Sequence, residues 1–121
     1  LRLHAGRGLV FAERLSHPSL AAELAAGALT PTQLVLAASA LGTSVGRLHA
    51  HGLGNRDLKL ENLVRTDRGQ VAMVDLDGVR RRPTLDCRGR GADLGRLLAA
   101  FQAAGEPGGP ATIARFVRGY L

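Results

Sequence analysis

The sequence contains few aromatic residues and almost no cysteine or lysine. It has three Phe, one Tyr and no Trp, so a hydrophobic core must be built mainly from Leu, Val and Ala. The single cysteine, Cys87, excludes an internal disulfide and a zinc site made of several cysteines, and we expect a buried or idle thiol. No apolar run is long enough to span a membrane, and the first residues do not resemble a signal peptide.

The composition is that of one small globular domain or part of a larger one. Of the 121 residues, 45% are hydrophobic and 21% are charged, and the net charge is +6. This charge fits an anionic partner such as nucleic acid, a phosphorylated substrate or a membrane surface, but it also fits a surface generally rich in arginine. No aromatic residues alternate with the densest basic cluster, Arg80-Arg81-Arg82, so we do not expect a stacking platform for single-stranded nucleic acid.

The clearest predicted element is a helix that begins at Pro31. Thr30 is a suitable N-cap, proline is common at the first helical position, and Gln33 completes a capping box. The helix should run to about His49 and stop at Gly52. Its apolar stripe at helical spacing, which we expect to be core, consists of Leu34, Ala38, Leu41, Val45 and Leu48.

Shorter signals place the other elements. A strand is predicted near Leu9–Phe11 and a short helix within 16–28, ending near Gly27. The runs "NLV" and "VAMVDL" flank the turn residues Asp67-Arg68-Gly69 and predict a β-hairpin. We interpret "DCRGRG" as a loop and predict a helix over 92–105 with Leu94, Leu97, Leu98 and Phe101 facing inward. A break at 106–110 precedes a last helix with Ile113, Phe116, Val117 and Tyr120 on its apolar face. The predicted fold class is α+β, a mostly helical unit with a small antiparallel hairpin.

Polar residues that the hairpin does not need stand at both of its ends. Asp57, Lys59 and Asn62 precede the first strand, and Asp75 and Asp77 end the second. A hairpin brings its ends together, so we expect these groups to converge. Carboxylate and amide oxygens suit Mg²⁺, and a lysine beside them would neutralise phosphate charge. These are the components of phosphoryl transfer. The alternative is that Asp57 and Asn62 are ordinary turn formers and that Asp75 and Asp77 only terminate a strand.

The stretch "NRDLKLENLV…QVAMVDLDG" resembles the catalytic loop and metal-binding strand of the protein-kinase-like superfamily, whose pattern is H-R-D-L-K-x-x-N followed by D-F-G. "GRLHAHG" resembles the helix end before that loop, and "LVFAERL" resembles the strand and hinge that meet adenine. The resemblance covers about residues 9–101. It implies a C-terminal catalytic lobe of a kinase that uses ATP and Mg²⁺.

The resemblance also implies a role for each matching residue. Asp57 would be the catalytic base, and Lys59 would contact the transferring phosphate of ATP. Asn62 and Asp75 would hold Mg²⁺. The backbone of Glu13 and Leu15 would bind adenine. Asp93 would brace the catalytic loop, although it could instead be a carboxylate placed by the helix dipole. His49 and His51 are expected to be packing and solvent-facing residues rather than ligands.

The sequence departs from the protein-kinase pattern in ways that affect the expected acceptor. Asn55 replaces the usual His, and Leu76-Asp77 replaces Phe-Gly. The segment from Asp75 to Asp93 is short and lacks A-P-E, which looks more like the lipopolysaccharide (Kdo/heptose) kinase branch. This resemblance implies a sugar hydroxyl on an anionic glycolipid as acceptor, and a cytoplasmic location at the inner membrane face. Arg80-Arg81-Arg82 would then lie near the acceptor. A small-molecule or a Ser/Thr protein acceptor is the alternative.

The sequence contains neither the glycine-rich loop nor the strand lysine with which a kinase binds the ATP phosphates. "HAGRGLV" is not a glycine-rich loop, and Lys59 is the only lysine. We therefore expect residues 1–121 to be a partial kinase-like domain, hinge and C-lobe, that lacks the N-terminal lobe and is inactive alone. The start at Leu1 likewise favours a piece of a longer protein. The other hypotheses are a non-catalytic pseudokinase or scaffold and a basic nucleic-acid-binding protein.

Overall fold

The computed structural model describes residues 16–82, 85–105 and 108–121, together with the backbone of Arg2–Leu3 and Val10–Phe11. The helices within this part are α1 (Leu20–Ala25), α2 (Pro31–Ala50), α3 (Cys87–Ala103) and α4 (Gly109–Tyr120). The strands are β1 (Arg2–Leu3), β2 (Val10–Phe11), β3 (Leu53–Asn55), β4 (Leu63–Arg65), β5 (Val71–Met73) and β6 (Val79–Arg81). They form antiparallel pairs, β1 with β2, β3 with β6 and β4 with β5. The predicted α+β class with mostly helical structure is confirmed.

Helix α2 forms where its local signals predict it. The Gln33 amide donates to Thr30 Oγ1 at 3.2 Å, and the Gln33 side chain accepts from the Thr30 amide at 2.9 Å, which completes the capping box. The helix ends at Ala50, and Gly52 follows with φ +69°, a conformation that favours glycine. Val45, in the middle of the predicted apolar stripe, is fully buried.

The β4–β5 hairpin is also confirmed, and a second strand pair was not anticipated. In the hairpin Leu63 pairs with Met73, and the turn closes with Gly69 at φ +73°. The unanticipated pair joins β3 to β6, with Asn55 opposite Val79. It aligns the chain leaving β3 with the chain entering β6, and both segments carry predicted site residues.

Helix α3 begins earlier than its sequence predicts. Residues 87–91, which we expected to be a loop, belong to the helix because Asp86 caps it: its Oδ1 accepts from the Gly89 amide at 2.8 Å. Leu97 is buried, whereas Leu98 is 46% exposed, although both line an apolar pocket with Leu94 and Phe101. In α4, Ile113 and Val117 are likewise 39% and 45% exposed, because another face of α4 contacts α2.

Helices α2 and α4 pack backbone against backbone through glycines. A Cβ added at Gly46 would lie 2.6 Å from the carbonyl oxygen of Tyr120, closer than atoms can approach. Gly42 and Gly119 make the same kind of contact, with Phe116 and Ser39. This close approach places Tyr120, the last residue of α4, beside the C-terminal turn of α2.

The buried core lies between α1, α2, α3 and the β4–β5 hairpin. Its members, which are mostly leucine and valine as the composition predicts, are Leu20, Leu41, Val45, Leu58, Leu60, Leu63, Val71 and Leu97. Leu58 and Leu60 are the neighbours of Lys59 in the chain, so burial of both leucines fixes the segment that carries the lysine. No helix in the described ranges has both the length and the apolar character required to cross a bilayer.

Candidate active site

Two loops meet at the ends of the paired strands. The first follows β3 and includes Asp57 and Asn62, and the second lies between β5 and β6. The Arg56 amide donates to the Gly78 carbonyl at 3.0 Å, and the Val74 amide donates to the Asn62 carbonyl at 2.8 Å. Backbone bonds at both ends therefore hold the loops side by side, as the hairpin argument predicts.

Gly78 allows this close approach. A Cβ at this position would lie 2.6 Å from Asn55 Oδ1 and 2.7 Å from the Cβ of Asp57. Any side chain here would push the two loops apart. The Asn55 oxygen itself accepts from the Asp57 amide at 2.9 Å, so Asn55 supports the turn that presents Asp57.

The predicted catalytic base, Asp57, lies between Lys59 and Asn62. Lys59 Nζ is 3.1 Å from its Oδ1, and Asn62 Nδ2 donates to its Oδ2 at 3.0 Å. The Lys59 hydrogen bond, helped by Asn62 and by the charge of Lys59, lowers the pKa of Asp57 despite an opposing effect of desolvation. The side chain is 41% exposed, so this carboxylate is ionised, held in place and open to a ligand.

The Asp57–Lys59 contact predicts the effect of Lys59→Met. Removing the ammonium removes the main cause of the lowered pKa, so the pKa of Asp57 should rise towards the ordinary aspartate value. Because the folded-state pKa is the lowered one, this pair stabilises the fold above the unfolded pKa, and the contribution disappears as pH falls through the folded pKa. Carboxyl ¹³C NMR titration measures the shift. Arg68→Met, at the exposed hairpin turn, is the control and should leave Asp57 unchanged.

A buried aspartate braces the first loop from below. Asp93 is 3% exposed, and its Oδ2 accepts from the Asn55 amide at 2.8 Å. Arg96 pairs with its Oδ1 and reaches the Asn55 carbonyl at 3.5 Å. Asp93 lies within α3, well after the start at Cys87, so it is not a carboxylate of the first turn placed by the helix dipole. Its partner is the loop.

Asp75 adopts a strained backbone conformation. It has φ +57°, and among the described residues it is the non-glycine residue with positive φ. Its side chain is exposed, directly after Val74, which is bonded to Asn62. Within the described ranges no hydrogen bond or ion pair joins Asp75 or Asp77 to Asp57, Lys59 or Asn62. A non-glycine residue in such a conformation is typical of functional sites.

The donor set fits Mg²⁺ that arrives with a nucleotide. Asn62 uses its Nδ2 for both bonds to Asp57, which leaves its Oδ1 for a cation, and Asp75 offers an exposed carboxylate. In the part of the chain that the structure covers, no three His, Cys, Asp or Glu side chains cluster around a metal position. Mg²⁺ commonly takes only one or two protein oxygens and completes its shell with phosphates and water.

The side chains of Asp57, Lys59 and Asn62 are therefore in contact with one another through Asp57. Asp75 is near them only through the backbone, since the residue before it, Val74, bonds to Asn62. The predicted adenine contacts, Glu13 and Leu15, lie outside the described residues. His51 is exposed, as expected, and its Nδ1 bonds its own helix at the Arg47 carbonyl.

Three further residues support the site: Asn55, Gly78 and Tyr120. The sequence pattern marks Asn55 only as a departure from the kinase motif and assigns no site role to Gly78 or Tyr120. The signal for Gly78 was its position one residue after Asp77, where the chain turns back into β6.

No protein-family model and no curated protein matches this sequence. The site must therefore be interpreted from its own geometry and chemistry.

Proposed function

We propose that this chain is the catalytic lobe of a kinase that transfers the γ-phosphate of ATP to a hydroxyl group. The observation that carries the proposal is the setting of Asp57. An ionised, half-exposed carboxylate is held between Lys59 and Asn62, on a loop that buried Asp93 fixes from behind. Phosphoryl transfer depends on positioning and charge stabilisation, which such a site supplies.

Asp57 orients the acceptor hydroxyl and accepts its proton as the new O–P bond forms. A carboxylate of lowered pKa is a weak base, so its main contribution is orientation, with proton transfer late in the reaction. Lys59 Nζ lies close enough to Asp57 to face the same phosphate and offset its negative charge. Arginine has a wider, planar head and is a poor replacement for this point charge.

Asn62 Oδ1 and the Asp75 carboxylate would hold Mg²⁺. When bound, this ion neutralises charge on the ATP phosphates. Of these two ligands only Asp75 carries a charge. One carboxylate is enough for Mg²⁺ when the ATP phosphates supply further negative charge. Asp75 has a left-handed backbone conformation and an exposed side chain, and the hydrogen bond from the Val74 amide to the Asn62 carbonyl joins the backbones of the two segments.

For the acceptor we propose a sugar hydroxyl on an anionic glycolipid or a related small molecule. The chain between Asp75 and α3 is short, which leaves little polypeptide to dock a peptide substrate. Arg80 and Arg81 lie on β6, immediately after the second loop, and their exposed cationic side chains suit an anionic acceptor. A glycolipid acceptor and ATP together imply the cytoplasmic face of a membrane.

Mg·ATP binding tests the proposal. The protein is expressed from its natural gene, with whatever sequence precedes Leu1, and its thermal stability is measured with and without Mg·ATP. We expect stabilisation that requires Mg²⁺ and that Asp75→Asn abolishes. Glu61→Gln is the matched control, because it removes one exposed negative charge from the neighbouring loop and should retain the shift.

The outcomes separate the hypotheses. A wild-type protein without any Mg·ATP shift would exclude the kinase proposal in favour of a non-catalytic module. A shift that Asp75→Asn retains would remove Asp75 from the metal site. If nucleotide binds but no phosphate reaches any of a panel of sugars, glycolipids and peptides, the protein is a pseudokinase.

A further inference from the structure

A buried chain of polar contacts links the end of α4 to the candidate active site. Tyr120 Oη is 2.9 Å from His49 Nδ1, and His49 Nε2 is 3.1 Å from Asp93 Oδ2. The same Asp93 oxygen accepts from the Asn55 amide at 2.8 Å, and Asn55 Oδ1 accepts from the Asp57 amide at 2.9 Å. His49, Asn55 and Asp93 are each at most 3% exposed, so water does not compete for the two contacts that Asp93 makes with His49 and Asn55.

The chemistry of the partners fixes the tautomer of His49. An ionised carboxylate only accepts hydrogen bonds, so the nitrogen facing Asp93, Nε2, must carry the hydrogen. In a neutral imidazole Nδ1 is then an acceptor, and Tyr120 must donate its hydroxyl hydrogen to it. Asp93 therefore selects the tautomer, and the Tyr120 hydroxyl holds the ring by donating to its other nitrogen.

We infer that Tyr120 and His49 are positioning residues that set the orientation of Asp57 through Asp93 and Asn55. The inference rests on the proposed function for its effect on the reaction, but not for its effect on the loop. Asp93 Oδ2 has two donors, the Asn55 amide and His49. Without the Tyr120 hydroxyl the His49 ring loses its hydrogen bond at Nδ1 and is held at Asp93 alone, so the ring and the carboxylate that it contacts shift. The Asn55 amide moves with Asp93, and Asp57 follows.

Arg96 determines the direction in which the Asp93 carboxylate would rotate. It engages Oδ1, the oxygen that the Asn55 amide and His49 do not use. With Oδ1 already bound to an exposed arginine, loss of the His49 contact leaves the carboxylate free to rotate towards Arg96. The α2–α4 glycine contact keeps Tyr120 within reach of His49. The Tyr120 hydroxyl is therefore the group through which α4 contacts His49 and, through it, the loop.

Tyr120→Phe tests this inference, because it removes only the hydroxyl. The first measurement is ¹⁵N NMR of the His49 ring at about pH 8, above the usual histidine pKa. We expect a tautomer with hydrogen on Nε2 in both proteins, and a changed Nδ1 chemical shift in Tyr120→Phe because Nδ1 loses the hydroxyl that donates to it. Phe116→Leu is the control, because it weakens α4 packing beside Tyr120 but keeps the hydroxyl, and it should keep the wild-type Nδ1 shift.

The second measurement is amide hydrogen exchange at Asn55 and Asp57. Tyr120→Phe should speed exchange at these two amides relative to those of β4, whereas general destabilisation by Phe116→Leu should affect both groups alike. In the protein expressed from its natural gene, Tyr120→Phe should lower kcat about five- to tenfold with little change in the KM for ATP. His49→Gln keeps a donor to Asp93 and should retain more activity than His49→Leu.

The inference is overturned if wild-type His49 carries its hydrogen on Nδ1, or if Tyr120→Phe leaves the Nδ1 shift and the Asn55 exchange unchanged. Absence of phosphoryl transfer in the wild type would overturn the proposed function instead. The NMR and exchange results would then still decide whether Tyr120 and His49 position the loop.

Discussion

Asp57→Asn should lower the kcat for phosphoryl transfer by about 10²–10⁴-fold, the usual contribution of a positioned general base. Asparagine has nearly the same shape, and its side-chain oxygen can still accept from Lys59 or Asn62. It cannot take up the acceptor proton, and it orients a hydroxyl less strongly than a carboxylate does. The side chain is 41% exposed, so we expect little change in thermal stability. Steady-state kinetics of the protein expressed from its natural gene would measure the loss.

Glu61→Gln is the matched variant for this experiment as well, since it removes the same charge from the same loop without touching Asp57. It should keep kcat within a small factor of the wild type. Mg·ATP binding should survive in both variants, which would separate a loss of chemistry from a loss of nucleotide. Unchanged kcat in Asp57→Asn would rule out Asp57 as the base and leave Lys59 and Asn62 without their proposed role.

Gly42→Ala should destabilise the protein by about 3 kcal/mol, the upper part of the range for overpacked sites. The added Cβ would fall on the Phe116 carbonyl oxygen and 2.8 Å from the Tyr120 amide nitrogen. Both are backbone atoms, so no side-chain rotation can make room, and α2 and α4 must separate. The loss exceeds the roughly 1 kcal/mol by which alanine favours a helix over glycine. Denaturant unfolding measures it directly, and the melting temperature should fall by roughly 10 °C.

Gly95→Ala should change the stability in the opposite direction. Gly95 lies in α3, is exposed, and has open space where a Cβ would stand. The same substitution should therefore stabilise the protein by about 1 kcal/mol. Equal stability of the Gly42 and Gly95 variants would show that the α2–α4 contact is not as close as described.

Local signals in the sequence predicted much of the fold. The capping residues Thr30 and Gln33 fixed the start of α2, and the turn at Asp67-Arg68-Gly69 fixed the hairpin. Each of these features depends on residues within a few positions of one another. The start of α3 was wrong because 87–91 is rich in glycine and arginine, and only the Asp86 cap holds this stretch helical.

Features that depend on distant partners were not predictable in the same way. The β3–β6 pair joins "LGN" to "VRR", and neither run has the alternation of a typical strand. The exposure of Leu98, Ile113 and Val117 depends on how the helices face one another, which periodicity does not specify. The glycines of α2 and α4 mark that contact only once the two helices are known to pair.

The candidate site shows the same division. Asp57, Lys59 and Asn62 lie within six residues, and their hydrogen bonds follow from one short loop. The roles of His49 and Tyr120 require contacts across 71 residues of chain. The metal role of Asn62 and Asp75 remains a prediction, since their oxygen donors suit Mg²⁺ but no contact between the two side chains shows a shared site. The adenine contacts at Glu13 and Leu15 also remain predictions.

At Asp75, which has a left-handed backbone conformation, the residue best for stability differs from the residue proposed for activity. A residue with a Cβ is strained by about 1 kcal/mol in this conformation, and glycine is not. Selection of variants for heat resistance alone should therefore favour Asp75→Gly, which would erase the carboxylate proposed to hold the metal. Directed evolution of this protein for thermostability should therefore also select for turnover. Otherwise the more stable variant at this position would be the one that lacks the proposed metal ligand.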